Sequence, residues 1–287
     1  MLAAELIFYA TVTAYALASA LFFAHLLKPG TSVRTGKAAP RVLAVAALCH
    51  VGYVVYASLI TNVCPVKSVH YVASVAALNA AALYLLVRGW LRIDALGAFV
   101  APACLTFVLG SRFVGSPDQG VGGWLLAFHV TVNVLGDAFF LLASAAAVLY
   151  LVEERRLKQK RAPSLFGKLP ALDALDRAEH ILLWTGFALL TMGIVSGTAW
   201  AHRIETGSPA EAARALLAYG SWVLFAGVLI LRASLGWRGR RAAYGTIAGF
   251  LLTVAVLIVY LVRGSAGVPA HSAAADAVSL GAIGGAF

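Results

Sequence analysis

The sequence predicts an all-α integral membrane protein, a bundle of about eight transmembrane helices. Of its 287 residues, 61% are hydrophobic and only 12% are charged, and the mean hydropathy is +0.87. A soluble domain carries about 25% charged residues. A helix that crosses a hydrocarbon core of about 30 Å needs about 20 apolar residues. Eight such stretches occur, near residues 4–27, 42–61, 70–90, 94–111, 123–152, 178–201, 213–232 and 243–262.

Some of the eight spans are defined more clearly by the sequence than others. The first carries Glu5 and has no basic start, and its apolar run is too long for a signal peptide, so we expect it to remain as a span. The second and third are separated by an outer loop with Pro65. The fourth is the shortest and contains Pro102, so seven spans plus a re-entrant segment stay open as an alternative. The last four contain glycines, which membrane helices tolerate.

The basic residues predict the orientation of the chain. Of the 22 Lys and Arg, 17 fall in the four segments that follow the odd-numbered spans. Short basic loops remain in the cytoplasm, so both termini are expected outside. The net charge of +10 is therefore a topology signal. It indicates the lipid bilayer as the surroundings of the chain and no nucleic acid as a partner.

Two segments lie outside the regular pattern of spans. The polar stretch 153–179 joins the two halves, ends the fifth helix at RAP (161–163) and restarts a helix after Leu169-Pro170. We expect within it a short amphipathic helix that turns Leu169, Leu172 and Leu175 to the cytoplasmic membrane surface. Residues 1–263 are expected to form a single transmembrane domain. The Ala/Gly-rich tail 264–287 is expected to be mobile on the outer side.

The fifth span carries polar residues that an apolar helix does not need. His129, Asn133 and Asp137 recur at i, i+4 and i+8, which places them on one helix face. Such groups are costly inside hydrocarbon and often mark function. The alternative is hydrogen bonding between helices during assembly. A carboxyl near the middle of the membrane favours function for the stripe as a whole.

The histidines separate by depth, and those on the outer side predict a ligand site. Neutral imidazole suits iron, copper or zinc. The chain has no HExxH motif and no thiolate pair, so a zinc hydrolase or a copper site is not indicated. Haem iron needs axial histidines in an apolar, aromatic pocket with cations near the propionates. The candidates are His129 and His202 with Trp200, Trp124, Arg112, Arg203 and Arg214, and His50 lies at mid-membrane on a possible haem path.

Three consecutive segments are similar to a known family. They are WLLAFHVTVNVLGDAFFLLASAAAVLYLVEERRLKQK (124–160), LPALDALDRAEHILLWTGFALLTMGIVSGTAWA (169–201) and SWVLFAGVLILRASLGWRGRRAAYGTIAGF (221–250). In order and spacing they resemble the cytochrome c assembly family, in particular its CcsA and HemX-like branch. The specific part of the resemblance covers 124–250.

The resemblance implies a function, a cargo and partners. Members of the family handle b-type haem at the outer face of the bacterial inner membrane, where it is joined to the thiols of apocytochrome c, and CcsA-type members work with a second membrane assembly protein. Two outward histidines ligate the haem iron in the family. His129 matches the first of them, and His271 is the candidate for the second.

The outer loop departs from the family pattern and leaves alternatives open. The family has a tryptophan-dense segment there, whereas 201–215 reads AHRIETGSPAEAARA, so activity as part of a haem–apocytochrome c synthase does not follow from the resemblance. The first hypothesis is a haem-handling protein of c-type cytochrome biogenesis. The others are a HemX-like regulator of tetrapyrrole synthesis acting through 153–179, a quinone-linked haem b subunit using His50 with His25 or His180, and a small-solute transporter.

Overall fold

The computed structural model describes residues 2–27, 33–66, 68–91, 93–113, 123–159, 170–201 and 209–266. This part of the chain contains helices and no strand, and eight of the helices are long and apolar enough to cross a membrane. The predicted all-α class with eight spans is thereby confirmed. The helices are α1 Leu2–Leu27, α2 Val33–Thr61, α3 Val69–Leu91, α4 Gly97–Ser111 with a 3₁₀ turn Asp94–Leu96 before it, α5 Trp124–Lys158, α6 Leu172–Ala201, α7 Pro209–Leu235 and α8 Arg240–Ala266.

Helices α5 and α6 extend beyond their apolar stretches. With 35 and 30 residues they are about 50 and 45 Å long at 1.5 Å per residue, longer than the hydrocarbon core. The described parts of the segment 153–179 are the end of α5 and the start of α6, and residues 160–169 lie outside the described ranges. The expectation for Leu175 is wrong, because its side chain is fully buried within the bundle and does not face the membrane.

The helices form two groups, α1–α4 and α5–α8. In the first group α1 packs mainly on α2 and α3 on α4. In the second group α5 packs most extensively on α6, and α7 packs on α8. Helix α3 joins the groups through contacts with α5 and α8. Small residues such as Gly136 let α5 and α6 approach closely. Phe140 of α5 stacks on Phe225 of α7 with ring centroids 4.1 Å apart.

The two ends of the bundle differ in their charged residues. We call the end where α5 and α7 finish the basic end, since most of the Lys and Arg lie there. At the other end, here the opposite end, Arg112 donates to Glu5 at 2.9 Å and lies over the ring of Phe8. This contact ties the end of α4 to the start of α1. Which end faces the cytoplasm stays a prediction from the charge distribution, and the tail beyond Ala266 lies outside the described residues.

Candidate functional site

A cavity opens within the second group of helices, toward the opposite end. Its volume is about 590 Å³, which is within the range of about 300–1,000 Å³ of small-molecule sites. Helices α5, α6, α7 and α8 supply almost all of its wall, and α3 adds Val72. Much of the wall is apolar, with aliphatic side chains that include Leu126, Val130, Val134, Leu190, Ile194, Val256 and Leu257.

The polar stripe of α5 forms one wall of this cavity. His129, Asn133 and Asp137 all line it. Eight helical residues separate the first from the last, so the stripe covers a depth of about 12 Å. The sequence predicted that these side chains share a helix face. The structure adds that they border one space, and that His129 and Asp137 also contact the neighbouring helices α6 and α8.

His129 is held in a fixed orientation by α6. Its Nδ1 lies 2.8 Å from the carbonyl oxygen of Gly193 and 3.4 Å from the hydroxyl of Ser196. Asn133 donates its amide to the carbonyl oxygen of His129 at 2.7 Å, which fixes the amide one turn below the imidazole. Because Nδ1 is occupied by the contact with α6, Nε2 is the ring nitrogen left for a ligand.

Two glycines of α6 make room for the stripe. A Cβ atom at Gly193 would come within 2.3 Å of the Asn133 side-chain oxygen, and one at Gly197 within 2.6 Å of His129 Cε1. Both distances are shorter than real Cβ contacts. Sequence reasoning missed this pair, although its GxxxG spacing is a readable signal of close helix packing.

The wall opposite α5 carries a cation and aromatic rings. Arg214 of α7 lines the cavity, and its positive charge acts on His129. Trp200 of α6 and Tyr219 of α7 line it as well. The Trp222 indole N–H donates to Thr191 at 3.0 Å and so ties α7 to α6. The cavity therefore combines an imidazole, a guanidinium and flat aromatic faces in an apolar surround.

Asp137 forms the polar floor of the cavity. It faces Thr253 of α8. It also borders a second cavity of about 20 Å³, which is lined by apolar residues of α3, α4, α5 and α8 such as Ala76 and Phe107. A space of that size holds about one water molecule. The carboxyl thus lies between the large cavity and the first group of helices.

The remaining predicted site residues divide into two sets. His202, Arg203 and His271 lie outside the described residues. His50 is described, and it is fully buried in the first group, away from the cavity wall. Its Nδ1 is 3.1 Å from the Tyr15 hydroxyl and its Nε2 is 2.7 Å from the Ser74 hydroxyl.

Clusters of metal-ligating side chains were predicted by neither spacing nor motif, and the described ranges contain none. Nowhere in the described ranges do three or more His, Cys, Asp or Glu side chains come together in a way that could hold one. Protein sites for zinc use at least three such ligands.

Comparisons with known proteins show what the chain as a whole is similar to. The family described as Cytochrome C assembly protein matches residues 7–267. The cytochrome c biogenesis protein CcsA of Prochlorococcus marinus (strain MIT 9215) is 29% identical over 168 residues, 52% of this chain and 53% of that protein. CcsA of Guillardia theta is 28% identical over 190 residues, 58% of this chain and 62% of that protein.

A further relative has no function in its name. It is the "Uncharacterized 28.8 kDa protein in nifR3-like 5'region" of Azospirillum brasilense, 33% identical over 134 residues, 46% of this chain and 49% of that protein. The chain thus spans about half the length of the curated relatives it matches. No solved structure matches the chain.

Proposed function

We propose, from the premise that the chain belongs to the cytochrome c assembly protein family, that it handles haem during the biogenesis of c-type cytochromes. In this proposal the cavity between α5 and α8 receives b-type haem as cargo, and His129 is the protein ligand of its iron. The observation that carries the proposal is the position of His129, whose free ring nitrogen borders a cavity of about 590 Å³.

The residues present fit such a cargo. An axial haem ligand is an imidazole with one nitrogen free and the other hydrogen-bonded, which describes His129. The macrocycle is flat and apolar, and the aliphatic walls with Trp200 and Tyr219 suit it. The propionates are anionic, and Arg214 supplies a cation in the same cavity. Haem itself supplies the vinyl groups that react with cysteine thiols.

The chain's own contribution is to bind and orient the cargo. His129 holds the iron at a fixed height, Arg214 selects for the propionate edge, and the apolar walls exclude water. The tryptophan-dense outer loop of the family is not present in 201–215, so we propose presentation of haem as the role of this chain. Joining haem to the thiols is then work shared with a second membrane assembly protein.

The proposal extends to location and partners. Eight helices of spanning length support a multi-pass membrane protein, and we propose the bacterial cytoplasmic membrane with the cavity on its outer side. Apocytochrome c is the proposed recipient of haem, and His271 remains the candidate for a second iron ligand. Relatives named for cytochrome c biogenesis favour this function over regulation of tetrapyrrole synthesis.

The decisive experiment is the visible absorption spectrum of the detergent-purified protein after loading with haem, reduced minus oxidised. We expect a sharp reduced-haem band in the wild type and at least about a tenfold loss of bound haem in His129→Ala, because even the loss of an outer-shell partner of a metal ligand typically costs about 10–100-fold in affinity. His180→Ala is the matched control, because His180 lies on α6 near the basic end, far from the cavity lining. A band that survives His129→Ala and disappears in His180→Ala would support the haem b alternative and contradict the proposal.

A further inference from the structure

We propose that the backbone carbonyl of Gly193 fixes His129 as the Nδ1–H tautomer, and that Gly193 and Gly197 are positioning residues for this imidazole. Nε2 is then the ring nitrogen that the protein presents to the cavity. What Nε2 binds rests on the proposed function, but the tautomer itself is a property of the protein without cargo.

The direction of the hydrogen bond follows from the chemistry of its two atoms. A carbonyl oxygen only accepts, so a 2.8 Å contact between His129 Nδ1 and Gly193 O requires the proton on Nδ1. Two other polar groups approach the same nitrogen, the Asn133 amide at 3.2 Å and the Ser196 hydroxyl at 3.4 Å. If either donated to Nδ1, the opposite tautomer would result.

Both competing donors have shorter contacts with other acceptors. The Asn133 amide nitrogen is 2.7 Å from the carbonyl oxygen of His129. This amide has a second N–H, but the nitrogen that carries it lies 3.2 Å from Nδ1, farther than the Gly193 carbonyl oxygen at 2.8 Å. The Ser196 hydroxyl is 2.8 Å from the carbonyl oxygen of Met192 and 3.0 Å from that of Gly193. The shortest contact available to His129 Nδ1 is therefore the one that it makes as a donor.

The two glycines are what allow α5 and α6 to reach this contact. A methyl group at Gly193 would push on Asn133, and one at Gly197 would push on the imidazole, at 2.6 Å from Cε1 and 2.9 Å from Nδ1. Gly186 lies on the same helix and is also too crowded for a Cβ atom, but its neighbour is the apolar ring of Phe140 at 2.8 Å. Gly186 thus provides a control for close packing without contact to the imidazole.

The arrangement has a consequence for the ligand nitrogen. A hydrogen bond from Nδ1–H to a carbonyl fixes the orientation of the ring and makes the other nitrogen a stronger donor to a metal. Weakening this bond by a backbone shift should therefore affect ligand strength without removing the ligand.

The test is carried out first on the 287-residue chain without haem. Protein labelled with ¹⁵N at histidine is measured in detergent micelles by ¹⁵N–¹H correlation, and His129→Gln identifies the signals of His129. We expect the proton on Nδ1 and none on Nε2 in the wild type. Gly193→Ala and Gly197→Ala should show a mixture of tautomers or the Nε2–H form. Gly186→Ala and Gly227→Ala, the latter in open space, should resemble the wild type.

Three results would overturn the proposal. They are an Nε2–H tautomer in the wild type, protons on both nitrogens at neutral pH, or wild-type signals in both the Gly193 and the Gly197 variants. The wild-type spectrum alone decides the tautomer if a variant does not fold.

A second measurement separates this inference from the proposed function. After loading with haem, the Gly193 and Gly197 variants should retain cargo about 10–100-fold less well than the Gly186 variant. Their reduction potential should also differ from that of the wild type. An Nδ1–H tautomer in a protein that binds no haem would support the inference and contradict the proposed function. Loss of haem in His129→Ala with full retention in both glycine variants would support the proposed function and contradict the inference.

Discussion

Asp176 on α6 and Arg232 on α7 form an ion pair inside the basic end of the bundle. Only 13% and 8% of the two side chains is exposed. Asp176 also accepts the backbone N–H of Gly239 in the turn between α7 and α8, at 2.9 Å. One carboxylate therefore joins α6 to α7 and to the turn that leads into α8. Helices α6, α7 and α8 line the cavity together with α5.

The first prediction concerns this ion pair. Asp176→Asn keeps the shape of the side chain and its bond to Gly239 but leaves the charge of Arg232 buried without its partner. Breaking a buried pair in this way costs about 3–5 kcal/mol, so we expect a clear fall in Tm in detergent. Asp173→Asn is the control, since the pair of Asp173 with Arg177 on the same helix is well exposed and contributes about 0.5 kcal/mol. An equal fall in both variants would contradict the argument.

The second prediction concerns a buried carboxyl one turn further along α6. Glu179 is fully buried and accepts a hydrogen bond from Thr246 of α8 at 2.7 Å. Its second oxygen finds no hydrogen-bond partner among the described residues. Thr246→Val removes the remaining donor, and the loss should destabilise the protein by about 1–3 kcal/mol.

The double variant Glu179→Leu with Thr246→Val tests the reason for that loss. It replaces both polar groups by apolar ones of similar size, which is often neutral or stabilising. We expect its Tm to return to the wild-type value or above it. If the double variant is less stable than Thr246→Val alone, the carboxyl has a stabilising partner that this reasoning omits.

The third prediction tests Arg214 as the partner of the propionates. Arg214→Gln should weaken retention of haem about 10–100-fold, because a charge-assisted bond contributes about 1.5–3 kcal/mol. It should have little effect on haem dimethyl ester, which has no carboxylates. Arg112→Gln is the matched control at the same end of the bundle, since Arg112 pairs with Glu5 in the first group. Equal weakening of both ligands would mean that Arg214 acts on the fold of the cavity and not on the propionates.

Much of the fold could be predicted from the sequence because the bilayer restricts it. A segment such as 213–232 is apolar, long enough to span and bounded by charge, and α7 forms there. The helix ends beside the central segment had to be predicted from other signals, because hydropathy does not register a helix that continues into water. The break at RAP (161–163) and the restart after Leu169-Pro170 placed these ends close to the observed ones, Lys158 of α5 and Leu172 of α6.

The site was only half predictable, for a physical reason. Spacing along one helix is fixed by its geometry, so His129 and Asn133 were correctly placed on one face. Which helix lies opposite that face depends on packing between distant segments. The close packing of the polar stripe against Gly193 and Gly197 of α6 was therefore missed, although this segment is part of the resemblance to the family. The proposed ligands His202 and His271 lie outside the described residues and stay predictions.

The last prediction separates the two membrane histidines that the sequence singled out. His50 has both ring nitrogens hydrogen-bonded inside the first group, to Tyr15 and Ser74, whereas His129 has one nitrogen facing the cavity. His50→Leu leaves two buried hydroxyls without their partner, which costs about 1–3 kcal/mol for each. It should therefore lower the Tm of the protein without haem and leave haem retention intact. His129→Ala should abolish haem retention but leave the Tm of the protein without haem nearly unchanged, because the His129 side chain is only partly buried. Loss of haem in folded His50→Leu would show instead that haem passes His50.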